Sequence, residues 1–283
     1  MSQGNVFARL DNEYYQLTGA EKKVADYVVG HEKQTQFMSI SELAEECGVA
    51  EATISRFCRR MGYKGYSAFK LAVANSTAGP GPGEPDRGGE TPPEGEGPYQ
   101  ALYDADIAAI AQTRKLIRPK TVARAAKLLH GSGKVLCMGQ GGSMIMAQEA
   151  AHLFSNTCPN FFPVSDAHMQ AIATAQLTER DAILYFSYSG ATRDVVETLK
   201  RAKERGAGVV LVTRFPKSPA AVYADIVLQC GSKEGPLQLG TVAARMAQLF
   251  LLDALNQELC LLQGDKVQKI QERIALALSD KHL

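Results

Sequence analysis

The sequence predicts an α/β chain of two domains: an all-helical N-terminal domain, then a three-layer α/β domain on a five-stranded parallel sheet. Three observations carry this. Residues 76–98, STAGPGPGEPDRGGETPPEGEGP, are dominated by proline and glycine, set five acids (Glu84, Asp86, Glu90, Glu94, Glu96) against one base (Arg87), and hold no large apolar residue. Such a stretch cannot build a core and reads as a flexible acidic linker between domains 1–75 and 99–283. Before it, apolar residues recur at helical spacing. After it, helical patterns alternate with short continuous apolar runs, the mark of parallel strands buried on both faces. The 283 residues suffice for two cores at ~100–200 residues per domain.

In the first domain, LTGAEKKVADYVVGH starts with a capping box, Thr18 three residues before Glu21, and places Val24, Tyr27 and Val28 on one face. SISELAEECG is a short helix stopped by Gly48. AEATISRFCRRMG is a second, with Ile54, Phe57, Cys58 and Met61 on a single face and Gly62 as its stop. Ala44 permits close helix approach, Gly48 makes the turn and Ile54 fills the space between. Those steps of four and six residues are the spacing of a helix-turn-helix unit.

Charge agrees with that reading. Residues 52–75 hold five bases (Arg56, Arg59, Arg60, Lys64, Lys70) and no acid. The plain alternative is a solvated helix in an oligomerisation bundle. The functional one lays the second helix in a DNA major groove. Ala50, Glu51, Ala52, Thr53, Ser55 and Arg56 then face base edges, and Arg59, Arg60, Lys64 and Lys70 face phosphates. In MGYKGYSAFK, Tyr63 and Tyr66 either hydrogen-bond the phosphate backbone or anchor the next helix; both readings stand.

The second domain opens with two helices, one near 99–117 and one in TVARAAKLLHG, capped by Thr121 and stopped by Gly131. KVLCMG, NFFPV, DAILYFS, GVVLVT and ADIVLQC are its strands, with a helix near 143–156 after the first. LQLGTVAARMAQLFLLDALNQEL is a long apolar-striped helix suited to the core or a dimer seam. After the first strand the chain turns through Gly139, Gly141 and Gly142, and Ser143 begins a helix whose unpaired amides favour an anion. A dinucleotide fold is a rival there, although Met144 stands where its third glycine belongs; Asp166 lies at a tolerable distance for a ribose contact.

After the third strand come Ser187-Tyr188-Ser189-Gly190-Ala191-Thr192. Three short hydroxyls and successive amides around a glycine form a nest for a tetrahedral oxyanion. No P-loop lysine or magnesium-binding sequence accompanies it, which points to a monophosphate. Alternatively, Ser189 or Thr192 simply caps the next helix.

GQGGS followed by SYSGAT resembles the sugar isomerase (SIS) domain. A helix-turn-helix domain ahead of it resembles the RpiR family of bacterial transcriptional regulators, and GVAEATISRFCRRMGYKGYSAFK is similar to that family's recognition helix and following turn. The resemblance implies a phosphosugar effector held at Ser143, Ser187, Ser189 and Thr192, on turns shaped by Gly141 and Gly190. It also implies operator DNA as partner, and no metal or cofactor. The chain departs from the pattern at Ala50, where the family usually has a capping serine, and in its long acidic linker.

His168 follows a strand end, where ligands reach in this architecture, and Glu234 follows the last strand, near sugar or a partner subunit. With Glu149 and His152 they are also the candidate bases of the rival reading, a phosphosugar isomerase with an added DNA-binding domain. Catalysis does not explain a DNA reader; sensing does. The expected assembly is a homodimer or dimer of dimers. The six cysteines show no CxxC pair and no metal-ligand spacing, the N-terminus lacks a signal-peptide layout, and no apolar run approaches ~18–20 residues. A reduced cytoplasmic setting without membrane contact is the expectation.

Overall fold

The computed structural model describes residues 6–77, 99–232 and 241–279. Glu234 and all but the first two residues of the predicted linker lie outside the described residues. The chain separates into two compact units, described in turn.

The first unit is helical: α1 (Val6–Glu13), a 3-10 turn (Tyr14–Gln16), α2 (Gly19–Gly30), α3 (Glu32–Thr35), α4 (Ile40–Cys47), α5 (Glu51–Arg60) and α6 (Tyr66–Thr77). Ser76 and Thr77, placed in the linker by composition, close α6 instead, and Ser76 Oγ accepts from the Val6 N–H at 3.1 Å. The Thr18–Glu21 capping box forms at the start of α2. Ser39 and Glu42 repeat the device at α4.

Gly48 ends α4 at φ 61°, a left-handed conformation that costs a side chain about 1–2 kcal/mol. Its N–H donates to Glu45 O, and that of Val49 to Ala44 O, so the last carbonyls of α4 are satisfied within the turn. Ile54, Phe57, Cys58 and Met61 are fully buried against α2 and α6, and Ala44 is buried with them.

The second unit runs α7 (Gln100–Leu116), α8 (Pro119–His130), β1 (Val135–Gly139), α9 (Gly142–Ser155), β2 (Phe161–Pro163), α10 (Ala167–Ala175), β3 (Ala182–Phe186), α11 (Arg193–Glu204), β4 (Gly208–Thr213), β5 (Ile226–Gln229), α12 (Val242–Gln263) and α13 (Lys266–Ser279). A 3-10 segment, Pro219–Tyr223, precedes β5. The five strands are parallel in the order β2-β1-β3-β4-β5. Thr121 is not the cap of α8. That helix begins two residues earlier with Pro119 in its first turn, where a missing N–H costs nothing.

Alternate residues of each strand serve two cores. Val135, Cys137, Leu184 and Phe186 pack under α8, α9 and α12; Leu136, Met138, Ile183 and Tyr185 pack under α11 and the 3-10 segment. Helices therefore cover both faces. The chain leaves β1 toward one face through α9 and leaves β3 toward the other through α11. β1 and β3 are neighbours, so the crevice between their carboxyl ends is the switch point where sheets of this order bind ligands. No described helix is long and apolar enough to cross a membrane.

Candidate effector and DNA-binding sites

Two turns meet at that switch point. After β1, Gly139 approaches α9 so closely that a methyl group there would lie 2.6 Å from Ser143 O. Gly141 follows at φ 54°, ψ −127°, and the helix opens at Gly142 with Ser143 in its first turn. After β3, Ser187 is buried and Ser189 half-buried, with Gly190 between them and the helix at φ 58°. Gly139 pairs with Phe186 in the sheet, so the turns emerge side by side. Gln140 Nε2 donates to Asp194 Oδ2 at 2.8 Å and bridges them.

The amides around Gly190 are not free, as the nest reading required. Ser187 Oγ accepts from the Gly190 N–H at 3.1 Å and Ser189 Oγ from the Ala191 N–H at 3.3 Å. These bonds use the serine oxygens as acceptors and leave their O–H protons to donate. Thr192 is the N-cap of α11 by position, yet its side chain makes no capping bond. Ser143 likewise has no side-chain partner among the described residues. Four hydroxyl donors therefore stand at the mouths of α9 and α11, where the positive helix ends already favour an anion.

Other sequence candidates fare differently. Asp166 caps α10 by accepting from the Met169 N–H at 2.8 Å. His168, exposed in the first turn of α10, lies at the carboxyl end of β2. Glu149 and His152 face each other at 3.9 Å on exposed positions of α9. Glu149 is seven residues beyond Gly142, about 10 Å along the helix from the turn. Tyr188 donates to Ser232 O at 3.0 Å and packs edge-on against Phe215, so its ring braces the turn from the β5 side.

Two residues that sequence reasoning passed over shape this site. Gln140 stood inside the quoted GQGGS motif, but its partner Asp194 is 54 positions away. Gln170, a lone amide in an apolar stretch of α10, is buried and donates to Gly139 O at 2.9 Å and Val164 O at 2.8 Å, stapling α10 to the end of β1. Among the described residues no cluster of His, Cys, Asp and Glu could hold a metal ion.

In the first unit, α5 presents Ala52, Ser55, Arg56 and Arg59 outward. Glu51 is exposed and accepts from Ser41 Oγ, tying the starts of α4 and α5. Thr53 is a correction: it is buried, and its Oγ1 accepts from Arg56 at 3.3 Å, so it faces the domain rather than a base edge. Arg60 is another. It donates to Glu21 Oε2 at 3.1 Å and to Gln16 O, and so ties α5 to α2. Burial would raise the Glu21 carboxyl, but bonds from Thr18 and the Arg60 guanidinium outweigh it and hold the carboxyl below its ordinary value.

Lys70 is the third correction. Burial pushes its ammonium pKa down, and Nζ donates to Met38 O at 3.2 Å. Tyr66 donates to the same carbonyl at 3.0 Å, and Tyr63 is buried edge-on against Phe69. Both tyrosines anchor α6. Arg59 and Lys64 remain exposed, without a side-chain partner among the described residues.

Ala50 caps α5 with extended backbone and no side-chain bond. Ala50→Ser is expected to supply the missing acceptor and stabilise the unit by ~1 kcal/mol, read as a rise in denaturation midpoint. An unchanged midpoint would mean the first-turn amides are satisfied already.

A helix-turn-helix with unpaired cations beside its second helix, joined in one chain to a doubly wound domain with an anion-ready crevice, defines a ligand-responsive DNA-binding regulator. Comparison with known proteins agrees. Residues 4–80 match the helix-turn-helix domain of the rpiR family, and residues 128–256 match the SIS domain. An uncharacterized HTH-type transcriptional regulator of Haemophilus influenzae is 32% identical over 271 residues, covering 93% of this chain and 92% of the relative. HTH-type transcriptional regulator HexR of Pseudomonas aeruginosa is 28% identical over 277 residues, covering 97% and 95%. The solved Vibrio vulnificus NanR protein, complexed with ManNAc-6P, superposes with a TM-score of 0.87 at 26% identity, covering 98% of this chain and 99% of NanR. The chain belongs to the RpiR family of helix-turn-helix transcriptional regulators, with an SIS domain as its second unit.

Proposed function

We propose that the β1/β3 crevice takes a phosphorylated sugar, and that its occupancy changes how tightly α5 and its surroundings hold operator DNA in control of carbohydrate-metabolism genes. The observation that carries this is the set of hydroxyl protons at Ser143, Ser187, Ser189 and Thr192, which lack acceptors at the switch point. Phosphate oxygens would accept them, with Gly141 and Gly190 holding the backbone clear. His168 then stands toward the sugar end. The NanR complex with ManNAc-6P supports this class of ligand.

The DNA side rests on Arg59 and Lys64 for phosphates and on Ala52, Ser55 and Arg56 for groove contact. Acting in the cytoplasm as a homodimer or dimer of dimers, the protein would read half-sites ~34 Å apart or a multiple of that. The effector alters DNA affinity only as far as it prefers one conformation over another. Sensing is favoured over isomerisation because the chain joins this crevice to a helix-turn-helix unit, which catalysis does not require.

The test combines a thermal-shift screen of sugar phosphates with binding to an operator selected from random duplexes. One or more phosphosugars should raise the melting temperature and change operator affinity by roughly 5–150-fold without turnover. Turnover with unchanged DNA binding would favour the isomerase reading, and no shift with any phosphosugar would leave the second unit as a dimerisation module.

Arg59→Gln and Lys64→Gln should each weaken duplex binding and reduce the slope of log affinity against log salt by ~0.9 per lost phosphate contact. Arg60→Gln should instead lower the melting temperature and leave that slope alone. Equal slopes for all three would reassign the interface.

A further inference from the structure

A second cavity lies outside the β1/β3 crevice. It is a half-open pocket of about 330 Å³ between the α7–α8 connection, the strand β5 and the helix α12. β5 is two strands from β3, about 10 Å away at the usual strand spacing, so this space is separate from the two hydroxyl turns. Because α8 feeds directly into the amino end of β1, its own start lies at the carboxyl end of the sheet.

Residues outside the lining hold α7 in place. Thr113 of α7 accepts from the Gly231 N–H at 2.9 Å and donates to Ala109 O at 2.7 Å, which pins α7 to the end of β5. A methyl group at Gly231 would lie 2.7 Å from Gln112 Cγ, so the approach depends on that glycine.

The lining divides by chemistry. Val227 gives apolar surface in front of the buried Val122 and Leu251, whereas Lys115, Arg118 and Thr121 bring two cations and a hydroxyl, and no carboxylate lines the space. The side chains of Lys115 and Arg118 are exposed and have no hydrogen bond or ion pair among the described residues. Arg118 is also the N-cap residue of α8 and makes no side-chain cap, so the positive helix end adds to the same field.

We propose that this cavity binds a compact organic anion, an apolar body bearing one carboxylate or phosphate. The body lies against Val227 and Leu251 and the anionic group meets Arg118, Lys115 and the start of α8. The volume equals that of roughly eleven waters at ~30 Å³ each, room for one ring and its head group and near the small end of ligand pockets. The pocket is therefore a second ligand site, apart from the two hydroxyl turns.

Benzoate and phenyl phosphate serve as probes, with benzyl alcohol as the neutral control, followed by methyl and ligand-observed NMR on the full chain. Both anions are expected to bind, to move the Val227 and Leu251 methyl signals, and to exceed benzyl alcohol at least about tenfold in affinity. Lys115→Gln with Arg118→Gln should weaken them by a similar factor, and Ser187→Ala should leave benzoate binding at this cavity intact. The proposal is overturned if neither anion binds, if benzyl alcohol binds as well, if the two charge-removing substitutions change nothing in a folded protein, or if Ser187→Ala abolishes the methyl shifts. The comparison of the three probes on the unsubstituted chain stands even if the double variant fails to fold.

Discussion

Replacing Ser187 and Ser189 together with alanine is expected to weaken sugar-phosphate binding by roughly two orders of magnitude or more. A hydrogen bond to a charged group contributes ~1.5–3 kcal/mol, and each hydroxyl supplies one such donor, so the pair gives ~3–6 kcal/mol at ~1.4 kcal/mol per tenfold. The two positions differ in their side effects. Ser187 is buried and its oxygen holds the Gly190 N–H, so its loss also strands an amide at ~1–3 kcal/mol. Ser189 is half-buried, and its bond to the Ala191 N–H is the longer at 3.3 Å. Ser189→Ala alone should therefore separate affinity from stability: titration calorimetry shows a loss of about tenfold or more, while the melting temperature barely moves. Full affinity in a folded double variant would remove the phosphate from this turn.

Gly190→Ala should strongly destabilise the second unit. The residue sits at φ 58°, where a side chain costs about 1–2 kcal/mol. A methyl group would also fall 2.1 Å from Ser218 Oγ and 2.6 Å from Ser218 Cβ. Ser218 cannot easily retreat, because it is buried and the Ala220 N–H two residues later donates to Gly190 O at 2.9 Å. Overpacking of this kind adds ~1–3 kcal/mol. Together these predict a fall in melting temperature of roughly 5–15 °C and loss of effector response. Adding Ser218→Gly should recover the steric part and leave the backbone part, so the double variant melts between the two. A Gly190→Ala protein that melts and responds like the parent would show that the turn is far more pliant than its contacts imply.

Much of this architecture was legible in the residues themselves. GVVLVT reads as a strand because six consecutive apolar or β-branched residues suit a site buried on both faces, and β4 spans those six. Thr18 and Glu21 announced a helix start by chemistry local to four residues. The errors share a cause. The count of bases along 52–75 points Arg60 and Lys70 to DNA, and position on the second helix points Thr53 there, because both are properties of the local chain. The partners that take Arg60 and Lys70 inward, Glu21, Gln16 and Met38, come from other segments of the chain. Thr121 was read as a cap because threonine commonly is one, yet Pro119 starts α8 earlier.

What the sequence by itself determined is the pair of units, their element order and the two hydroxyl-bearing turns, since capping, turn chemistry and hydrophobic period act over a few residues. Only the tertiary structure decided that those turns share one crevice, that Gln140 reaches Asp194 across it, and that Ser218 limits position 190. Strand order alone makes β1 and β3 neighbours, although β2 lies between them in the chain. That adjacency comes from burying both faces of a sheet under helices at once, a condition on the whole domain that no short stretch of residues carries.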